Sequence, residues 1–282
     1  MKAGISGFGV WARGLEGVAA FEAQQSNDFR DLSGADFANP KPESVPPKER
    51  RRAGLMINLA VEVAHQACED AGVDKTQIPS VFVSALGDTA ITDYMCRKLA
   101  QPERLLSPTK FHNSVHNAPS GYWTISAENR APSSFVGGFR ESFGAGLLEA
   151  VSQAHAFATP VLLVAYDIAN KPPFEDIEPV AESLGIALVV TNGESNAATA
   201  ADNTLLCEIN YEPHQSPNEV IALSEPQSAA LQEIAQANPV GSGFALIEKI
   251  AAHRADSASV RGLSVNELRI AAAPEAALRI NF

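Results

Sequence analysis

Apolar residues along this chain follow two periods, and their alternation predicts the architecture. Leu55, Leu59, Val63 and Ala67 recur at helical spacing with Met56, Ala60 and Ala64 beside them. The stretch from Arg50 to Ala71 therefore predicts a long helix with one buried face, closed by Gly72 as a C-cap residue. Ile78 to Leu86, Thr159 to Tyr166 and Leu184 to Thr191 are short apolar runs, which predict strands covered on both faces. Ala3 to Val10 reads as a short edge strand, followed by a helical stretch through Ala23, and Ile91 to Ala100 reads as a second helix. Thr204 to Tyr211 reads as the hairpin or ladder neighbour of the strand ending at Thr191, with Asn192 to Asn203 between them. After Gln215 the periodicity weakens. Leu231 to Ala237 and Gly243 to Ala252 read as helices, and Arg269 to Ala272 or Leu278 to Asn281 as strands. Ser26 to Lys48 and Asp167 to Pro179, rich in Pro and polar residues, read as loops. Helices alternating with apolar strands imply an α/β fold with a layered core.

One stretch organises the rest. From Ser133 to Val151 an apolar run punctuated by Gly137 and Gly138 passes through a polar corner at Arg140, Glu141 and Ser142 into Gly144-Ala145-Gly146-Leu147-Leu148, the start of a buried helix. A strand turning sharply into a helix is a common mount for a nucleophile, because the helix N-terminus offers free amide hydrogens and partial positive charge to a developing anion. This corner carries no cysteine.

Composition narrows the class. The chain has 282 residues, 45% hydrophobic and 19% charged, enough for one large or two small globular domains. A formal net charge of -12 argues against a nucleic-acid surface, and the one dense basic cluster is Lys48-Glu49-Arg50-Arg51-Arg52. Cys68, Cys96 and Cys207 are far apart with no CxxC pair, which fits a reducing compartment. The N-terminal sequence is too polar and Gly-broken for a signal peptide, and no run approaches the length of a membrane span, so a cytoplasmic protein is expected.

The block from Leu106 to Ser126 is unusual in composition. His112 and His116 stand four apart, the spacing of a two-histidine metal site on a helix. Asn117-Ala118-Pro119 breaks such a helix and no acidic third ligand is near. Asn113, Asn117, Tyr122 and Trp123 read instead as a hydrogen-bonded polar-aromatic contact surface. His65 and Cys68, on the long helix, read as core residues, since nothing near them supplies the electropositive setting of a reactive thiol.

The element order and several strings resemble the β-ketoacyl synthases of the thiolase superfamily. Asn117-Ala118-Pro119-Ser120-Gly121-Tyr122-Trp123-Thr124-Ile125-Ser126 is similar to an Asn-x-x-Ala-Gly-x-x-Ser-Ile segment of that family, and Ser142-Phe143-Gly144-Ala145-Gly146-Leu147 to its Ala-Cys-Ala-Ser-Gly-Leu elbow. RRRAGLMINLAVEVAHQA, FHNSVHNAPSGYW and GAGLLEA look most like the chain length factors of aryl polyene biosynthesis. The resemblance covers about Ala3 to Tyr211. It implies a thiolase-like layered α/β/α fold in a single domain over residues 1–282, with a core at 1–211 and a shortened C-terminal part at 212–282. No cofactor and no metal are implied.

Departures from the family decide the function expected. Anchored on the helix, Phe143 falls at the position of the acyl-accepting cysteine; counted without gaps from Pro132, Arg140 does. Neither side chain forms a thioester. The histidine strings that assist decarboxylation in the family are absent around His214 and His253. The resemblance therefore implies a non-catalytic chain length factor that pairs with a complete β-ketoacyl-ACP synthase, sheet edge to sheet edge beside the elbow, and lines its acyl tunnel. Phe143 is then a wall residue or plain core packing. Ser142, Arg140, His112, Asn113, His116, Asn117, Tyr122 and Trp123 are the other tunnel or interface candidates. Lys48, Arg50, Arg51 and Arg52 form either a docking site for an acidic acyl carrier protein or a solvated basic face. Two alternatives stay open at this point: an independent acyl-transfer or hydrolytic enzyme using Ser142, and a self-associating thiolase-like structural protein that forms a homodimer.

Overall fold

A computed structural model describes residues 1–29, 32, 34–194, 204–216, 220–258 and 266–282. The elements in chain order are β1 (Lys2–Ala12), β2 (Leu15–Glu16), α1 (Val18–Gln25), α2 (Pro47–Arg50), α3 (Leu55–Ala71), β3 (Ser80–Val83), α4 (Thr89–Leu99), α5 (Pro108–Asn113), α6 (Ala118–Ser126), β4 (Ser133–Val136), α7 (Ser142–Phe157), β5 (Val161–Asp167), β6 (Leu184–Thr191), β7 (Leu205–Pro213), α8 (Ala229–Gln236), α9 (Gly243–Ala258), β8 (Glu267–Ala273) and β9 (Ala276–Asn281). Among the described residues these strands form one sheet in the order β4-β3-β5-β6-β1-β7-β9-β8, with β2 paired to β1. The β4-β3-β5 part is parallel and the remaining pairs are antiparallel.

Helices cover both faces of the sheet. On one side α1, α7, α8 and α9 pack over Val81, Val83, Leu163, Ile186, Leu188 and their neighbours; on the other, α3 and α6 pack over Phe82, Leu162, Val164, Ala187 and Val189. The runs expected to be covered on both faces are so, with β5 buried along its whole length. Layers of helix, sheet and helix follow.

Four segments differ from the sequence reading. The stretch from Arg50 to Ala71 is not one helix: α2 ends at Arg50 and α3 begins at Leu55. Strand β1 is no short edge strand: it spans 11 residues and lies between β6 and β7. Its alternation is hidden by a register shift between Ile5 and Gly7, which puts Ala3 and Ile5, then Phe8, Val10 and Ala12, in the same core. Gly9 on the opposite face lets α3 approach so closely that a Cβ there would lie 2.2 Å from the Val63 carbonyl oxygen. Strand β7 pairs with β1 and β9 and so is not the hairpin neighbour of β6; residues 195–203 of the connection lie outside the described residues, as do 30, 31 and 33 of the early loop. Finally, Pro119 does not break a helix but opens one, sitting in the first turn of α6 where its missing amide hydrogen has no helical partner to lose. At the end of the chain both alternative strands form, as the β8–β9 hairpin.

Because the obstacle at Gly9 is backbone, Gly9→Ala forces α3 off the sheet. The expected cost is about 1–3 kcal/mol, read as a lowered midpoint of thermal or urea unfolding.

Candidate functional site

Strand β4 ends at Val136 and α7 begins at Ser142, so the chain reverses over five residues. The corner turns at Phe139, which opens a 3-10 turn through Glu141 and holds φ at +56°. A bulky L-residue in the left-handed region costs about 1–2 kcal/mol and persists only where its surroundings impose it. Ser142 imposes it. Its fully buried Oγ accepts from the Gly138 amide at 2.9 Å and donates to the Phe139 carbonyl at 2.6 Å. Arg140 is tied to the Glu178 carboxylate by an ion pair. Phe139 itself is left 53% exposed.

The first turn of α7 is seated deeply. At Gly144 an added Cβ would lie 2.0 Å from the Ala271 carbonyl oxygen of β8, so helix and strand touch backbone to backbone. Phe143 points inward, fully buried, against Gly243 and within the core that also holds Ile186 and Phe244. The residue at the turn itself is Phe139, and Phe143, the second residue of α7, fills the protein's own interior, as the core-packing reading expects. An open cleft of about 320 Å³ beside the corner is lined by Arg140, Glu141, Leu223, Pro226, Ala235 and Pro239 among others.

The chemistry available at this corner is limited. Both hydrogen-bonding capacities of Ser142 are used on backbone, and no histidine is among its partners. That geometry does not support a serine nucleophile, which needs a base within hydrogen-bond reach. The three cysteines are free thiols away from the corner. Burial pushes Cys68 and Cys207 up to about 12, so neither presents a thiolate at neutral pH.

The parallel strands next to the corner end in a buried acid. Asp167, at the end of β5, accepts from the Ser84 hydroxyl at 2.6 Å and from the amides of Ala85 and Leu86 at 3.0 and 3.4 Å. It thereby fixes the turn after β3. Burial pushes its carboxyl up to about 6, against the opposing effect of these hydrogen bonds. The turn continues to Gly87, which lies against the His116 ring, and His116 packs on Phe135 of β4 with centroids 4.9 Å apart.

The Leu106 to Ser126 block divides into buried and exposed parts. Helix α5 ends at Asn113, so His112 and His116 do not share a helical face. His112 faces the Tyr122 ring at 6.4 Å. Asn113, Tyr122 and Trp123 are buried within this chain: Asn113 donates to the Arg52 carbonyl at 2.8 Å and accepts from the Tyr122 hydroxyl at 3.3 Å, while Trp123 lies edge-on to His65. His65 is core-facing, lowered to about 4 by burial, with Lys75 adding to the shift. His112, His116 and Asn117 are exposed. So are Phe111, Val115 and Ile125, at 61%, 51% and 50%, which sequence reasoning did not select. The basic cluster sits beside this block: Glu49 and Arg52 share a cleft of about 260 Å³ with Pro108, Thr109, His112 and Tyr122. Lys48 and Arg51 are exposed, and Arg50 bonds the Pro42 carbonyl at 3.4 Å.

The two sheet edges differ. Along β8, the Ser224 amide donates to the Arg269 carbonyl at 2.8 Å and the Arg269 amide donates to Ser224 Oγ at 2.9 Å, so that edge is partly covered, and it carries the charged pair Arg269–Glu267. Strand β4 is bonded to β3 and has no strand on its other side among the described residues. Half-buried Phe135 and Val136 lie on it, and exposed Val115 and Phe139 flank it in sequence or through His116.

Layered helix, mixed sheet and helix around a strand-to-helix corner define a thiolase-like fold. The chain belongs to the family of β-ketoacyl synthase N-terminal domains, which it matches over residues 23–240. Among curated proteins none matches the sequence. Among solved structures the chain is similar to a chain of the ketosynthase–chain length factor complex from Xenorhabdus doucetiae, with a TM-score of 0.66 and 19% identity over 100% of both chains. It is also similar to a chain of the ishigamide ketosynthase/chain length factor, with a TM-score of 0.68 and 14% identity over 99% of both. A β-ketoacyl synthase from Burkholderia phymatum is similar at a TM-score of 0.54 and 13% identity, over 86% of this chain and 71% of that one.

Two outcomes follow from this geometry. Phe143→Ala opens a core cavity and is expected to cost about 3–5 kcal/mol of stability in denaturant unfolding. For Asp167, a folded pKa above the unfolded value means that its contribution is full below pH about 4 and is lost as pH rises through about 6, by about 3 kcal/mol in all. His65, shifted downward, acts oppositely in the same range. The difference between wild type and Asp167→Asn isolates the Asp167 part: the variant gains on wild type as pH climbs from 4 to 7.

Proposed function

We propose that this chain is a chain-length-factor-type subunit that pairs with a complete β-ketoacyl-ACP synthase and helps bound the cavity in which the partner's acyl chain grows, in aryl polyene or related fatty-acid-type biosynthesis. The observation that carries this reading is the combination at one place of a corner without a thiol and an open sheet edge. A ketosynthase reaction requires a thiolate to hold the acyl chain, and here the corner offers Phe139, Arg140, Glu141 and a Ser142 engaged with backbone. Next to it, β4 has no strand on its outer side among the described residues and carries half-buried Phe135 and Val136, with exposed Phe139 three residues beyond it and exposed Val115 next in sequence to His116, which packs on Phe135. An uncovered edge of this kind is a template for strand addition by another chain. Similarity to chains of two ketosynthase–chain length factor complexes, over their full lengths, supports a ketosynthase as the partner.

The cleft shared by Arg52 and His112, with Lys48 and Arg51 near it, supports an acidic carrier protein as a third component. In a chain of net charge -12 this cluster is where an acidic surface meets least repulsion.

The test is reconstitution. The purified chain alone is expected to give no condensation of acyl and malonyl thioesters on a carrier protein, and to co-purify with the complete ketosynthase of its source organism. Condensation by the chain alone, with an acyl group attached to one of its side chains, overturns the proposal; a stable homodimer that ignores the ketosynthase overturns the pairing. Val115→Glu places a charge at an exposed position next in sequence to His116, which packs on Phe135 of the β4 edge. It is expected to weaken pairing at least tenfold while changing the stability of the free chain by no more than about 0.5 kcal/mol.

A further inference from the structure

Phe139 combines three properties that packing inside this chain does not explain. Its ring is 53% exposed, so it stabilises little of the interior. Its backbone is held at φ +56°, a conformation that glycine or asparagine would adopt with less strain. Finally, the residues around it are committed to holding it there. The Ser142 hydroxyl, fully buried, spends its donor on the Phe139 carbonyl and its acceptor on the Gly138 amide. The Glu141 amide closes the turn on the Gly138 carbonyl at 3.0 Å, and Arg140 is anchored to Glu178.

An exposed aromatic ring on a locked backbone is what an interface anchor requires, because little ordering is left for binding to impose. The position agrees. Phe139 stands three residues beyond the end of β4, and the half-buried Phe135 on that strand packs against His116, beside exposed Val115. The ring thus continues the open edge toward the corner.

We infer that Phe139 is the anchor residue of the pairing surface, its ring entering an apolar recess of the partner ketosynthase next to the β4 edge. This rests on the pairing proposed above. Ser142 is then a positioning residue: its side chain sets the aim of the ring and touches no partner.

The experiment uses the full chain co-expressed with the complete β-ketoacyl synthase of its source organism, comparing wild type, Phe139→Gly, Phe139→Leu and Phe157→Ala. Phe157, 47% exposed at the far end of α7, serves as a control for loss of surface aromatic area. Glycine at 139 is expected to raise the unfolding midpoint of the free chain, because the left-handed strain is relieved, and yet to weaken pairing at least tenfold. Leucine is expected to keep part of the affinity, and Phe157→Ala all of it. Wild-type pairing that Phe139→Gly leaves unchanged overturns the anchor while the pairing reading stands. Failure of the wild-type chain to pair at all overturns both, and the wild-type lane alone separates the two cases. A lowered midpoint in Phe139→Gly together with lost pairing also overturns it, since the ring then serves the fold of this chain.

Discussion

The seating of the first turn of α7 is the constraint on which the rest of the site depends. Gly144 allows the helix to touch the backbone of β8 at Ala271, and Phe143 locks that contact by filling the space against Gly243. With the helix start fixed this firmly, the five residues back to β4 have little freedom. The strained conformation of Phe139 and the latch made by Ser142 follow from a short connection between two immovable ends. Interiors packed to crystal-like density transmit such constraints instead of absorbing them.

A second, polar constraint acts from the neighbouring strands. Asp167 gathers the hydroxyl of Ser84 and two amides at the ends of β3 and β5, satisfying backbone groups that the end of a parallel pair leaves open. Through Gly87 and His116 that turn supports Phe135 on β4. The open edge is therefore braced from behind by a buried network on one side and by the α7 core on the other. An edge strand of four residues is weak alone; bracing is what makes it a defined surface.

The asymmetry of the sheet completes the picture. Its β8 end is engaged by Ser224 and carries charge, whereas its β4 end carries apolar residues and continues into the exposed positions of the α5–α6 block. Proteins commonly protect both ends of a sheet, and an apolar end with no cover among the described residues is the feature on which the proposed pairing rests. The corner, which carries no cysteine, and the β4 edge, which has no second strand neighbour among the described residues, are contiguous.

Much of this was legible in the sequence for simple physical reasons. The long helix ending at Gly72, the strands β5 and β6, and the start of α7 are strong because burial on both faces, or on one helical stripe, imposes a period that survives without tertiary information. The missing thiol at the corner is likewise a fact of composition. Strand β1 does not read as a central strand because a register shift and three glycines erase its alternation, and only the tertiary structure explains those glycines: α3 crowds Gly7 and Gly9, and Thr191, Thr204 and Leu206 crowd Gly4. Pro119 misled because a proline that ends one helix and a proline that opens the next look alike until the backbone is in place. Phe143, for which the sequence leaves a wall role and core packing both open, proves to be buried in this chain's own core, while Phe139 is exposed. Counting residues cannot tell which of two aromatics four apart faces inward, since that depends on where the 3-10 turn inserts between strand and helix. Sequence alone determined the layers and the absence of a cysteine at the corner, because both are set by residue type; which edge stays open among the described residues and which ring faces out were decided by tertiary packing, because both depend on contacts between segments distant in the chain.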